Sequence, residues 1–109
     1  MKDLELKDKW VFDEVRKENQ RQIEKWGIQD HNAGGWHLIL AEEEGELAKL
    51  MCQDYFESPD YNPSDKYHLF MRLEHEAIQV ATLSLKVAEM YHNLKEQIDL
   101  TRLKDDKNE

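Results

Sequence analysis

Leu38-Ile39-Leu40-Ala41-Glu42-Glu43-Glu44-Gly45-Glu46-Leu47-Ala48-Lys49-Leu50-Met51 is the stretch in which helical periodicity and concentrated carboxylates coincide. On a helix, residues three and four apart share a face, so Ile39, Leu40, Glu43, Leu47 and Leu50 form one stripe with Glu46 on its edge. Glu43 is thereby aimed at an apolar layer. An ionised carboxylate in such a layer is costly unless it is paired, hydrogen-bonded or bound to a cation. The stretch therefore predicts a buried helix face and, for Glu43, a compensating partner.

Working outward, the chain reads as an all-α protein, a bundle of three main helices. From about Asp3 to Lys25 there is no Gly or Pro, and Phe12, Val15, Asn19, Ile23 and Trp26 recur at helical spacing, which predicts the first helix with Trp26 as a packing anchor. Gly27 is placed to end it, and the polar, glycine-rich run to Gly35 predicts a loop. The second helix is expected from Gly35 or Trp36 to about Phe56, where the stretch Ser58-Pro59-Asp60-Tyr61-Asn62-Pro63 breaks the periodicity. Ser64 is then the expected N-cap of a third helix from Asp65 to at least Leu94, with a charged tail from about Lys95 that either extends the helix or frays. This last helix is apolar on several sides: Leu69, Leu73, Val80, Leu83 and Val87 make one stripe, and Ile78, Ala81, Leu85 and Ala88 occupy others. Two partner helices cannot cover all of these faces, so the bundle is expected to be completed by oligomerisation.

At 109 residues the chain is expected to form one domain spanning 1–109. Its net charge of −9 and pI of about 5.0 repel phosphate backbones and anionic lipid, which argues against nucleic-acid polymers and membrane surfaces as partners. Cys52 is the only cysteine, so neither an intrachain disulfide nor a cysteine zinc site can form, and a core thiol is the expectation. The first residues lack the apolar run of a signal peptide, and no stretch approaches the ~20 apolar residues of a membrane span, so a cytoplasmic location is expected.

Glu76 repeats the anomaly of Glu43. Its row neighbours are Leu73, Val80 and Leu83, and Gln79 lies on the same edge three residues on. If the second and third helices pack together, Glu43, Glu46, Glu76 and Gln79 converge on an all-oxygen site suited to magnesium or manganese rather than zinc. The same residues also fit an ordinary solvated acidic face paired with basic side chains, with Arg72 four residues before Glu76 as the obvious partner. His31, His37, His68, His75 and His92 show no zinc spacing, and Ser64 and Ser84 have no nucleophile elbow, so covalent catalysis has no support.

The paired motif resembles that of the MazG-like nucleoside triphosphate pyrophosphohydrolases. Glu43-x-x-Glu46 lies within Leu40-Ala41-Glu42-Glu43-Glu44-Gly45-Glu46-Leu47-Ala48, and Glu76-x-x-Gln79-Val80 follows on the next helix. The resemblance covers roughly Arg21 to Ala88 and extends to Trp26-Gly27-Ile28-Gln29-Asp30-His31 and Trp36, similar to short, often phage-associated members. It implies an all-α NTP pyrophosphatase-like fold, a homodimer or homotetramer, and magnesium-dependent hydrolysis of a nucleoside triphosphate to monophosphate and pyrophosphate. Glu43, Glu46, Glu76 and Gln79 would be the metal ligands, although Gln79 stands where the family usually has Asp and offers a carbonyl oxygen without charge.

Under that resemblance Glu42 and Glu43 are both candidates for the base that orients or deprotonates water. Trp36 and His31 are candidates for contact with the nucleobase, and Lys86, two to three turns beyond Glu76, is a candidate for a phosphate. Two other classes remain beside the enzyme: a helical nucleotide-binding or interaction protein of the same fold without turnover, and a purely structural helical oligomer.

Overall fold

The computed structural model describes the backbone of residues 3–7 and 9–108, and their side chains except at positions 100, 101, 103 and 105–108. Three helices, α1 (Lys9–Trp26), α2 (Ala33–Phe56) and α3 (Pro63–Asn108), account for nearly all of it, with a single 3-10 turn at Ser58–Asp60 and no strand among the described residues. None of these helices is long and apolar enough to cross a membrane. α3 is the spine, against which both α1 and α2 pack.

Each boundary follows from a local hydrogen bond. α1 begins at Lys9 rather than near Asp3, and the expected start crosses position 8, which lies outside the described residues. Leu4 and Leu6 are exposed, so no packing rewards a helix there, and the segment instead closes on itself through Leu4 N to Asp3 Oδ1 (2.8 Å) and an ion pair of Lys7 with Glu5. Gly27 ends α1 as expected, at φ 75° with its N–H donating to the Ile23 carbonyl. α2 starts two residues earlier than the glycines suggest because the Asn32 side chain caps it, accepting from Gly35 N at 2.8 Å. Asn62, not Ser64, plays that role for α3, accepting from Asp65 N at 2.8 Å and leaving Pro63 in the first helical position, where a missing N–H costs nothing.

The stripe of α2 faces inward: Ile39, Leu40, Glu43 and Leu47 are half-buried and Leu50 is buried. With Trp36, Leu69 and Leu83 it makes a small buried apolar core. Cys52 is exposed, contrary to its expected place in the core, because it lies on the helix face opposite Glu43 and Leu50. On α1 the inward face is polar as well as apolar: Glu18 and Gln22 are buried, whereas Trp26, the expected anchor, is 53% exposed with Lys25 Nζ 4.6 Å over its ring.

α3 holds 46 residues and so spans about 69 Å, which matches the longest dimension of 70 Å. It outruns its partners, and residues 91–99 are exposed throughout. The radius of gyration is 18.9 Å, where a compact chain of this length has about 13 Å. Accordingly the surface, 9131 Å², exceeds the roughly 6,400 Å² of a compact monomer of the same mass.

Candidate functional site

Glu43 on α2 and Glu76 on α3 are brought together where these helices pack, and Gln79, one turn beyond Glu76, joins them. In the orientation that satisfies its neighbours, the Gln79 amide nitrogen donates to Glu43 Oε2 at 3.1 Å and to Glu76 Oε2 at 3.0 Å, while its oxygen accepts from His75 Nε2 at 3.1 Å. Burial raises the pKa of Glu43 above the ordinary glutamate value, and the negative charge of Glu76, a hydrogen bond with it, and the charges of Glu42 and Glu46 add to the rise. Arg72 forms no ion pair with Glu76 among the described residues, so the ordinary partner for that acid is not engaged.

Glu46 is exposed on the next turn of α2, near enough for its charge to act on Glu43 but not drawn in beside it. No group of three or more His, Cys, Asp or Glu side chains is gathered tightly enough to hold an ion among the described residues. The convergent core of the site is thus two carboxylates bridged by an amide. Its oxygens suit a hard divalent cation: one carboxylate sits beside another in a partly buried place, and among the described residues no basic side chain bonds to either.

The third wall comes from α1, and the stripe through Asn19 and Ile23 did not isolate it. Arg21 is held bidentately by Glu18, with Nε to Oε2 at 2.7 Å and Nη2 to Oε1 at 2.5 Å. Burial pushes the pKa of Glu18 up, but its hydrogen bonds to and attraction by Arg21 win, leaving it below the ordinary value. Gln22 accepts from Lys86 Nζ at 2.6 Å across to α3. The available signal was spacing: Glu18 and Gln22 follow Val15 and Asn19 at three residues each, so they border the same inward face.

Two grooves open between the helices, the first beside Glu43. One, of about 290 Å³, is lined by Glu42, Glu43 and Gln79 with Arg21, Gln22 and Trp26. The other, of about 420 Å³, is lined by His31, Trp36, Lys86 and the loop from Gly27 to Asp30, with Met90 and Asn93. Gln29 borders both, and the Gln22–Lys86 bond ties their walls together. No family model, curated protein or solved structure matches this chain.

All three expected substrate contacts line the second groove. Trp36 is 7% exposed and meets His31 edge to face at a centroid distance of 5.0 Å. Gly35 makes this possible, since a Cβ there would come within 3.2 Å of the His31 Cβ. His31 Nε2 is buried without a hydrogen-bond partner, an arrangement that costs about 1–3 kcal/mol unless a ligand satisfies it. Burial lowers the pKa of Lys86, and the nearby Glu18 charge opposes that shift.

Proposed function

We propose that the chain is a magnesium-dependent nucleoside triphosphate pyrophosphohydrolase of the MazG-like kind, releasing monophosphate and pyrophosphate, and that it works as a homodimer or homotetramer. The observation that carries this reading is the meeting of Glu43 and Glu76 from two helices, with no bonded basic partner among the described residues, at the edge of a groove. Glu43 and Glu76 would hold magnesium or manganese, with Glu46 completing the set from the next turn and Gln79 able to present its amide oxygen. When bound, the cation supplies charge neutralisation to the triphosphate oxygens. The chain's own groups do the rest. Glu42 and Glu43, which both line the groove, are the two groups that can accept a proton from the attacking water, and burial raises the pKa of Glu43. Lys86, steered by Gln22, presents its ammonium at the join of the two grooves, where a phosphate would pass between them. His31 and Trp36 receive the base in the second groove, with the free Nε2 as its polar contact.

A second reading is favoured by the amide of Gln79. It bonds both carboxylates in a way that an ionised Asp cannot, so the site is partly satisfied without metal, and a nucleotide-binding protein of the same fold without turnover fits that chemistry. One experiment separates the two: incubation with a panel of nucleoside triphosphates and magnesium, followed for pyrophosphate. Release that Glu43→Gln abolishes supports the enzyme. Calorimetric binding of a nucleotide without release supports the second reading.

A further inference from the structure

We infer that the Gln79 amide is a two-position element whose orientation is locked to the tautomer of His75. Its nitrogen faces the carboxylates of Glu43 and Glu76 in the metal-free chain, and it turns end over end to present its oxygen to a cation bound there, while the His75 hydrogen moves from Nε2 to Nδ1. The inference rests on the proposal that these carboxylates hold a divalent cation, and it makes His75 a positioning residue that acts through Gln79.

The amide lies between two demands. One end is 3.1 Å from Glu43 Oε2 and 3.0 Å from Glu76 Oε2, and the other is 3.1 Å from His75 Nε2. Ionised carboxylates only accept, so an amide oxygen at the first end would meet two acceptors and no donor. The nitrogen therefore takes that end, and the oxygen at the far end requires that His75 Nε2 carry the hydrogen. A cation between the carboxylates reverses the first demand, because a hard cation is met by oxygen and repelled by an N–H. The nitrogen is then carried to the far end, where His75 Nε2 has to accept and the hydrogen sits on Nδ1. The ring is neutral in both arrangements, so the exchange needs no change of charge. His75 is exposed, which lets water carry the hydrogen from one ring nitrogen to the other.

Histidine suits this position because one ring atom donates in one tautomer and accepts in the other without the side chain moving. Lys and Arg only donate, and ionised Asp and Glu only accept. The contact spans four residues of α3 and so is fixed by the helix itself. The second amide hydrogen also has a place to go. Glu18, 5% exposed and held bidentately by Arg21, lies close enough to accept from Gln79. That acceptor favours nitrogen at the far end, and with it the cation-bound arrangement. Against it stand the two hydrogen bonds to Glu43 and Glu76, which must be given up before the oxygen can serve. A carboxylate at position 79 has no nitrogen to turn away, and binds a cation without that loss.

Nitrogen NMR reads the tautomer directly, because a ring nitrogen with a hydrogen and one without resonate far apart. The chain carries isotope-labelled histidine and is held at about pH 8, above the ordinary imidazole range. Spectra are taken in EDTA and then in magnesium that calorimetry shows to be saturating, and His75→Asn, which removes one of five imidazoles, assigns the signal. His75 should carry its hydrogen on Nε2 in EDTA and on Nδ1 with magnesium. Gln79→Asp, whose carboxylate has no nitrogen to turn, should bind magnesium with no exchange of tautomer. Nδ1–H in EDTA, one tautomer throughout despite a magnesium heat, or an exchange that persists in Gln79→Asp each overturns the inference, and the last two leave the cation site standing. No magnesium heat in the wild type overturns the cation site and the inference together, and pyrophosphate release decides the enzymatic reading separately.

Discussion

Glu43 makes opposite demands with and without a cation. Without metal its folded pKa is raised, so protonation is favoured in the folded state and its ionised form destabilises the fold once the pH rises through that raised value. Glu18 has the reverse sign: its lowered pKa contributes stability above the ordinary glutamate range, and that contribution is lost as the pH falls through the lowered value. In EDTA the melting temperature should therefore rise as the pH falls from 7 towards the ordinary glutamate value of 4.5, then drop in stronger acid, and Glu43→Gln should remove the rise. At neutral pH the same variant should melt higher than wild type in EDTA but gain little from millimolar magnesium, whereas the wild type gains by mass action. Gln79→Asp tests the neighbouring position. It replaces a donor to two carboxylates by a further negative charge, so it should lower metal-free stability and bring magnesium saturation to lower concentration. A melting curve and a metal titration that match wild type would remove Gln79 from the site.

At the level of elements, much was legible because hydrophobic periodicity is a strong signal over long helices. The inward stripe of α2 and the glycine that stops α1 followed from spacing and composition, whereas spacing only permitted the meeting of Glu43 with Glu76, which depends on how α2 and α3 pack. What was not legible depends on tertiary packing. A burial pattern in which α1 turns Glu18 and Gln22 inward and leaves Trp26 half outside is set by what α3 offers opposite them, Lys86 above all, and no period in α1 records that. Cys52 stands outside the core for a related reason: it lies on the face of α2 opposite Leu50, and composition does not say which face the subunit buries. Caps are a competition between neighbours, and before α3 Asn62 wins over Ser64 because Pro63 fits the first helical position. Asn62→Ala should accordingly destabilise the protein by about 1 kcal/mol, and Ser64→Ala, an exposed change beyond the cap, by less than about 0.5 kcal/mol. Urea unfolding of the two variants compares them directly, and a larger loss at Ser64 would contradict the capping geometry.

For the whole molecule, the difficulty is a spine longer than its support. Leu69 and Leu83 lie under α1 and α2, but the run from Tyr91 through Leu94 to Ile98 projects with apolar side chains in water, and an isolated helical end of that length is marginal on its own. A small core and an extended outline are what the proposed association of subunits would complete. Stability should then depend on concentration, since a folded assembly is favoured by mass action while the unfolded chain is monomeric. Raising the protein from 1 µM to 100 µM should increase the melting temperature by several degrees, given that about 1 kcal/mol shifts a domain of this size by roughly 4–8 °C. A wild-type melting temperature independent of concentration over that range, together with sedimentation at the chain mass, would mean that the subunit is stable alone and would overturn the proposed oligomer.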